Sequence, residues 1–270
     1  MAVSALHSAA TGLQGLSTEI DVIANNLANV NTNGFKASRV NFEDLLYETK
    51  RQPGVENALG SRSPAGLQVG GGVRISNTQY DFTKGDARVT NKPLDVMIDG
   101  DGFFQVQIPT DQGPGGIGYA RAGNFFANAD GDLVFGNNDG PLLVDGINIP
   151  PGTPPEAITI SPTGLVSIED AGGSTPVGQL TLATFVNRSG LKSIGGNLFV
   201  ETEASGPSST GNPQDAGFGK LIQGHIESSN VDPVTELVTM IKTQRAFELN
   251  SQTIQAADEV LEVVSNLRRF

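Results

Sequence analysis

Apolar residues near the start of the chain recur at Leu6, Ala9, Leu13, Leu16, Ile20, Ile23 and Leu27, in alternating steps of three and four. That spacing keeps one stripe on one side of a helix and predicts a helix over residues 1–30 with a heptad seam. A second helical pattern fills residues 229–270. It opens at Asp232-Pro233, a carboxylate suited to accept the first free amides and a proline whose missing N–H costs nothing in a first turn. One of its faces reads Leu237, Met240, Phe247, Ile254 and Leu261; a second reads Leu249, Ala256, Val260, Val263 and Leu267. Positions 247 and 249 differ by about 200° on a helix that turns about 100° per residue, so the two faces are roughly opposed. A helix with two apolar faces needs neighbours on both sides.

The plainest reading of these stripes is a pair of terminal helices packed on one globular domain. Gly12 and Gly15 point further, because a helix-interior glycine costs about 1 kcal/mol relative to Ala, and close approach of another helix would explain it. After Leu27 the pattern breaks. Asn fills five of the nine positions 25–33, and Asn33-Gly34 supplies the left-handed backbone that ends a helix or turns a chain. Residues 31–65 then read as an extended connector. From about residue 66 to 228 the period switches to two. Phe104, Val106 and Ile108 alternate with Gln105 and Gln107, and Leu180, Leu182, Thr184 and Val186 with Thr181, Ala183 and Phe185. Leu94–Ile98, Leu133–Phe135, Leu142–Val144, Ala157–Ile160, Val166–Ile168 and Leu198–Thr202 are further short strand candidates, divided by turns such as Asp99-Gly100-Asp101-Gly102 and Asp130-Gly131. The fold class expected is a mainly β central domain, antiparallel, carried between long α-helical N- and C-terminal segments.

Composition sharpens this. Of 34 glycines and 15 prolines, only Gly12, Gly15 and Pro233 fall in the terminal segments, so the middle is turn-rich. A net charge of −12 leaves no basic stripe for a phosphate backbone, which argues against nucleic acid. The absence of Cys removes disulfides, zinc thiolates and thiol nucleophiles together. No apolar run is long enough to span a bilayer, and the first cation is Lys36, so no basic region near Met1 marks a cleavable secretory signal.

Candidate chemistry changes little. Gly113-Pro-Gly-Gly-Ile-Gly118 fits the dinucleotide fingerprint in letters, but no helical period follows to bring a helix N-terminus to a pyrophosphate. Asp99/Asp101 and Asn128/Asp130/Asp132 have the alternate oxygens of calcium loops, yet position six from Asn128 is Leu133 where an EF-hand has Gly; hairpin turns account for them better. His7 and His225 are the only histidines, no nucleophile elbow occurs, and there is no Trp to stack a sugar. The sequence therefore predicts no catalytic, cofactor-binding or metal site, and no enzyme.

The run Ala24-Asn-Asn-Leu-Ala-Asn-Val-Asn-Thr-Asn-Gly-Phe-Lys36 resembles the N-terminal signature of the bacterial flagellar rod and hook family. Glu227-Ser-Ser-Asn-Val-Asp-Pro-Val-Thr-Glu236 and Gln244-Arg-Ala-Phe-Glu248 look like that family's C-terminal box, and Pro93–Phe104 and Arg121–Phe126 resemble its β domain. The motif positions are Asn25, Asn26, Leu27, Asn29, Asn31, Thr32, Gly34, Phe35, Ser229, Asn230, Val231, Gln244 and Arg245. Within the family, Phe42–Gly54 most resembles distal-rod members. The resemblance implies a structural subunit of the distal rod, a helical homo-polymer in which the termini form an inner tube around a central export channel and the β domain lies outside. It implies contacts with proximal rod proteins, the hook subunit and the periplasmic and outer-membrane rings, passage through the flagellar export apparatus without a cleaved signal, no cofactor and no membrane insertion. The stretch at about 45–65 is the part the family links to a stiff rod. The seam residues on both terminal helices are the expected subunit interface. A proximal rod or hook subunit is the alternative within the family, and a carbohydrate-binding or adhesin β domain with dimerising helices is the alternative outside it.

Overall fold

The computed structural model describes residues 2–54, 64–170 and 172–267. The chain divides into two compact units, one of Met1–Ala28, Ser38–Gln79 and Asp232–Phe270, the other of Asn29–Ala37 and Tyr80–Val231.

The first unit holds both helices, α1 (Ala2–Ala28) and α2 (Pro233–Leu267), and four strands, β1 (Ser38–Asp44), β2 (Tyr47–Arg51), β3 (Leu67–Gly70) and β4 (Val73–Tyr80). The helices run antiparallel. Asn26 near the end of α1 bonds Glu236 near the start of α2 at 3.1 Å. A methyl group on Gly12 would stand 2.8 Å from Asn250 Nδ2, the same number of residues back along α1 as forward along α2. Gly12 thus admits another helix, as the sequence suggests. Gly15 does not: its missing methyl makes room for the Phe42 ring, whose Cε1 would lie 2.8 Å away, so its neighbour is a strand.

The connector expected over residues 31–65 contains two paired strands. β2 and β3 are antiparallel, Tyr47 opposite Gly70 and Arg51 opposite Leu67, with the register shifting between Thr49 and Arg51. Cross-strand bonds Arg39–Gln79 and Asn41–Asn77, with an Arg74–Glu43 ion pair, show β1 and β4 pairing in the same sense. The ribbon lies along α1, with Ser38 beside Asn26, Phe42 beside Gly15, and the Val73 amide on Thr11 Oγ1 at 3.3 Å. Val40 and Phe42 in β1 alternate with Arg39, Asn41 and Glu43, and Val73 and Ile75 in β4 with Arg74 and Ser76, a period of two that marks these strands; β2 and β3 lack it, and there the partner strand supplies the ladder. Residues 55–63 of the expected connector lie outside the described residues.

The second unit is antiparallel β structure, as expected. Its strands are β5 (Ala87–Val89), β6 (Val96–Asp99), β7 (Phe104–Gln107), β8 (Ile117–Ala120), β9 (Phe125–Ala127), β10 (Leu133–Phe135), β11 (Ile158–Ile160), β12 (Leu165–Asp170), β13 (Gly173–Gln179), β14 (Leu182–Thr184), β15 (Lys192–Gly195), β16 (Leu198–Val200), β17 (Ser209–Gly211), β18 (Lys220–Gln223) and β19 (His225–Glu227). They form a four-stranded sheet β15-β16-β8-β7, a three-stranded sheet β11-β12-β13, and the pairs β9-β10, β14-β17, β6-β18 and β5-β19.

Two cores hold this unit. Val96, Ile98, Phe104, Val106, Leu180, Leu182 and Leu221 belong to the larger one. Phe103, Tyr119, Ala183, Phe185, Leu191 and Phe199 form a smaller aromatic one, with Tyr119 and Phe185 rings edge-on at 4.7 Å. Neighbouring residues therefore serve different cores, and both faces around β7 and β14 are buried. Val186, expected to continue the Leu180–Leu182 face, is 97% exposed because β14 stops at Thr184. Leu142 and Leu143, expected within a strand, make only isolated bridges to Val134 and Val106. The glycine run 113–118 passes through a short turn into β8, so no helix N-terminus meets it.

Candidate assembly interface

The surfaces of α2 divide as a helix with two faces must. Asp232 caps it: its carboxylate accepts the Val234 amide at 3.0 Å and the Thr235 hydroxyl at 2.6 Å. These bonds hold its pKa below the ordinary value. Toward α1 the helix presents Glu236, Met240, Thr243, Asn250, Ile254 and Leu261, half-buried or buried, a face that mixes polar and apolar residues. On the opposite side Ile241 is 59%, Leu249 63% and Val260 56% exposed, with Val234, Val238 and Val263 also exposed. Leu237 and Phe247, expected on one face with Met240, Ile254 and Leu261, are both exposed. For Leu237 the reason is drift. A seven-residue repeat slips about 20° per heptad on a straight helix, and the step from 237 to 240 slips further, which carries Leu237 out of line with Leu261. The Leu267 side chain lies outside the described residues. On α1, Leu6, Leu13, Leu16, Ile20 and Leu27 are half-buried and Ile23 is buried.

The Asn-rich motif is a set of staples. Asn26 is 2% exposed; its amide donates to Ser38 O at 2.8 Å and accepts from Ser38 N at 3.0 Å, treating β1 as a neighbouring strand would. Its second donor meets Glu236 Oε1. Burial pushes the Glu236 carboxyl above its ordinary value and Asp232 adds to this, while the Asn26 bond partly offsets it. In the second unit Asn230 Oδ1 accepts the Ala37 amide at 2.7 Å and its Nδ2 donates to Asp81 O at 2.8 Å, while Asn230 N reaches Phe35 O at 3.4 Å. Thr32 bonds Asn29 through both backbone and hydroxyl. Gly34 stands at φ +67° with its amide on Glu227 O at 2.8 Å. Val231 is buried and its amide reaches Ser229 Oγ at 3.3 Å. Asn25, Asn31 and Gln244 are exposed, and Arg245 pairs with Glu248 along the helix.

Within the second unit lies a buried ion cluster. Glu227 accepts Lys36 Nζ at 2.7 Å, the Gly85 amide at 2.8 Å and Arg121 Nε at 2.8 Å. Arg121 also donates to Gly102 O at 2.6 Å and Gly100 O at 2.8 Å, and Lys36 to Thr83 O at 2.7 Å. Burial alone would raise Glu227, but Arg121 and Lys36 outweigh it and hold the carboxyl below its ordinary value. Burial pulls the Lys36 ammonium down more than Glu227 lifts it. A carboxylate facing two cations at bonding distance is nonetheless an ionised arrangement. The Asp99–Gly102 turn, which has the oxygens of a calcium loop, receives a guanidinium on its carbonyls, while Asp99 pairs with Lys84 and Lys220, and Asp101 with Arg188. Among the described residues no group of three or more His, Asp or Glu is placed to hold a metal ion.

Three family models match this chain. "Flagella basal body rod protein" covers residues 6–36, "Flagellar hook protein FlgE/F/G D1 domain" 97–168 and "Flagellar basal body rod FlgEFG protein C-terminal" 222–267. Flagellar basal-body rod protein FlgG of Buchnera aphidicola subsp. Schizaphis graminum (strain Sg) is 44% identical over 267 residues, 98% of this chain and 100% of the relative. The FlgG protein of Caulobacter vibrioides is 42% identical over 269 residues, again 98% and 100%. The chain belongs to the flagellar basal-body rod protein FlgG family. The FlgF protein of Caulobacter vibrioides is also similar, but at 34% identity over 91% of this chain and 89% of that one, which places the chain with the FlgG branch.

For a FlgG-family chain, the sequence leaves three functional-looking charges without a role: Lys36, Arg121 and Glu227. Arg121 lies between buried Ala120 and Ala122 and Glu227 follows buried Ile226, while Lys36 lies two residues after the buried Gly34 turn, between half-buried Phe35 and Ala37. A lone charge inside a core-like run is the signal that marks them, but the partner comes from far along the chain. α1 from Leu6 onward, the whole of α2, Asn26 and Asn230 fall inside the matched family regions. Replacing Asn26 by Ala in this FlgG-family chain is expected to destabilise the helix-bearing unit by about 1–3 kcal/mol, because Ser38 and Glu236 lose partners in a buried place. Amide exchange of α1 reports it; unchanged protection at Ser38 and in α1 would remove Asn26 as a staple.

Proposed function

We propose that the chain is a structural subunit of the bacterial flagellar basal-body distal rod, self-assembling into the axial drive shaft that transmits torque from motor to hook around a central export channel. The observation that carries this is the outward apolar face of α2, uncovered within the chain although α1 and α2 already pair. A helix pair with one bare face is half of a wall. Residues 1–30 and 229–270 form the coiled-coil-like inner layer, with the α1 stripe from Leu6 to Leu27 and the α2 faces as its seams; residues 31–65 act as the distal-rod-specific stretch, and the β domain over 66–228 lies outside. Head-to-tail repetition of one such contact generates an open helical polymer. Proximal rod proteins, the hook subunit and the ring proteins bound it, and the flagellar export apparatus delivers it. No helix among the described residues is long and apolar enough to cross a membrane.

The test is hydrogen exchange on full-length chain before and after polymerisation, with density of the polymer. In dilute monomer the amides of α1 and α2 are expected to exchange at least about tenfold faster than those of β6–β8, and to slow on assembly, because helices gain most of their stability from packing. A polymer whose contacts run through the β unit while α2 keeps its monomer exchange rate would sink the proposal.

A further inference from the structure

Asn33-Gly34 is the only Asn-Gly pair in the sequence, and the fold holds the peptide group between them at both ends. Its carbonyl, Asn33 O, accepts Asn197 Nδ2 at 3.0 Å, and its N–H, on Gly34, donates to Glu227 O at 2.8 Å. The Asn33 side chain is held as well, its Oδ1 accepting Arg88 at 2.9 Å. Gly34 has no room to move: a methyl there would fall 2.5 Å from the Ala122 amide nitrogen. From this triple hold we propose that Asn33 is a deamidation site that the folded unit keeps shut and the unfolded chain leaves open.

The chemistry needs only water. The Gly34 amide nitrogen attacks Asn33 Cγ and forms a five-membered imide, and the side-chain nitrogen leaves as ammonia. Water then opens the ring at either carbonyl, giving aspartate or isoaspartate at position 33. Glycine favours the attack because it lacks a Cβ to block it. In the folded unit the attacking N–H is bonded and buried, and the peptide plane must rotate away from both its partners before nitrogen can reach Cγ. Ring closure therefore waits on local opening. The isoaspartyl product lengthens the backbone by one methylene at a turn where Gly34 already touches Ala122, so a chain modified while unfolded cannot remake this junction. A rod subunit that lingers unfolded would be spoiled at this one bond.

The experiment incubates full-length protein in mildly alkaline buffer, folded or fully unfolded in guanidinium, and follows the peptide containing Asn33 by mass spectrometry, with isoaspartate separated by chromatography. Asn33 is expected to convert in the unfolded sample and to persist in the folded one. Arg88→Ala with Asn197→Ala removes two of the holds and is expected to speed conversion in the folded protein about tenfold, since each bond contributes a several-fold factor to the opening equilibrium. Circular dichroism and denaturant melts confirm that the variant remains folded; if it does not, Arg88→Ala alone serves, with a smaller expected acceleration. Equal conversion rates in folded and unfolded parent protein would overturn the proposal, as would a folded variant no faster than the parent. Purified isoaspartyl chain that refolds with parent yield would overturn the claim about the junction.

Discussion

A chain carrying Ile241→Asp or Val260→Asp is expected to stay monomeric where the parent polymerises, with both its units folded. Ile241 and Val260 are 59% and 56% exposed in the single chain. A carboxylate there meets water in the monomer and changes its stability by about 0.5 kcal/mol or less. In a polymer that buries the α2 outward face the same carboxylate is desolvated, and a penalty of about 3 kcal/mol per subunit raises the critical concentration about a hundredfold; Arg245, four residues on, offsets part of it for Ile241→Asp, so Val260→Asp is the stricter variant. The choice of residue decides what the experiment means. Leu27 and Leu261 also lie on seams, but both are half-buried in the chain, so Asp at either would loosen the α1–α2 pair before assembly is asked of it. Sedimentation and electron microscopy read the outcome. Polymer at the parent's critical concentration from both variants would mean that the outward face of α2 is not an interface.

Glu227→Gln is expected to lower the stability of the β unit by about 3–5 kcal/mol, because a neutral amide leaves Arg121 and Lys36 as buried cations facing no charge. Urea unfolding of the full chain measures it. Replacing a buried ion cluster wholesale by apolar residues is often neutral or stabilising by about 1–4 kcal/mol. Here it is expected to fail. The cluster also satisfies the Gly85 amide and the carbonyls of Gly100, Gly102 and Thr83, and each orphaned group costs about 1–3 kcal/mol. Thr83 O keeps Asn230 Nδ2 at 3.3 Å, but the other three losses outweigh the gain, so Lys36→Met with Arg121→Met and Glu227→Leu should be no more stable than Glu227→Gln.

Acid gives an independent check. The Glu227 carboxyl lies lower in the folded chain than in the unfolded one. Its contribution is therefore fully present above the unfolded carboxyl range, near about pH 4.3, and is lost as pH falls through the lower folded value. The parent should lose stability steeply on that acid side, and Glu227→Gln should show a shallower slope. Parallel pH profiles for the two proteins would mean that Glu227 is not ionised in the fold.

Much of this was written in local order. The three-four spacing from Leu6 to Leu27 and the Asp232-Pro233 start are within-helix signals, and α1, α2 and the cap appear where they say. Strands with strict alternation or clear turn boundaries, such as β7 and β10, were equally legible. β2 and β3 were not, since their residues are extended only because a partner lies opposite, whereas Val40 and Phe42 in β1 carried a short alternation of their own.

The sequence by itself determined the family and the helix–β–helix order, because these rest on periods and motifs that neighbouring residues carry alone. Only the tertiary structure decided that Gly15 admits Phe42 instead of a helix, that Leu237 turns outward, and that Lys36, Arg121 and Glu227 share one buried site. Those facts depend on groups tens to hundreds of residues apart meeting at bonding distance. No local period encodes such a meeting; it follows from how the strands and helices pack.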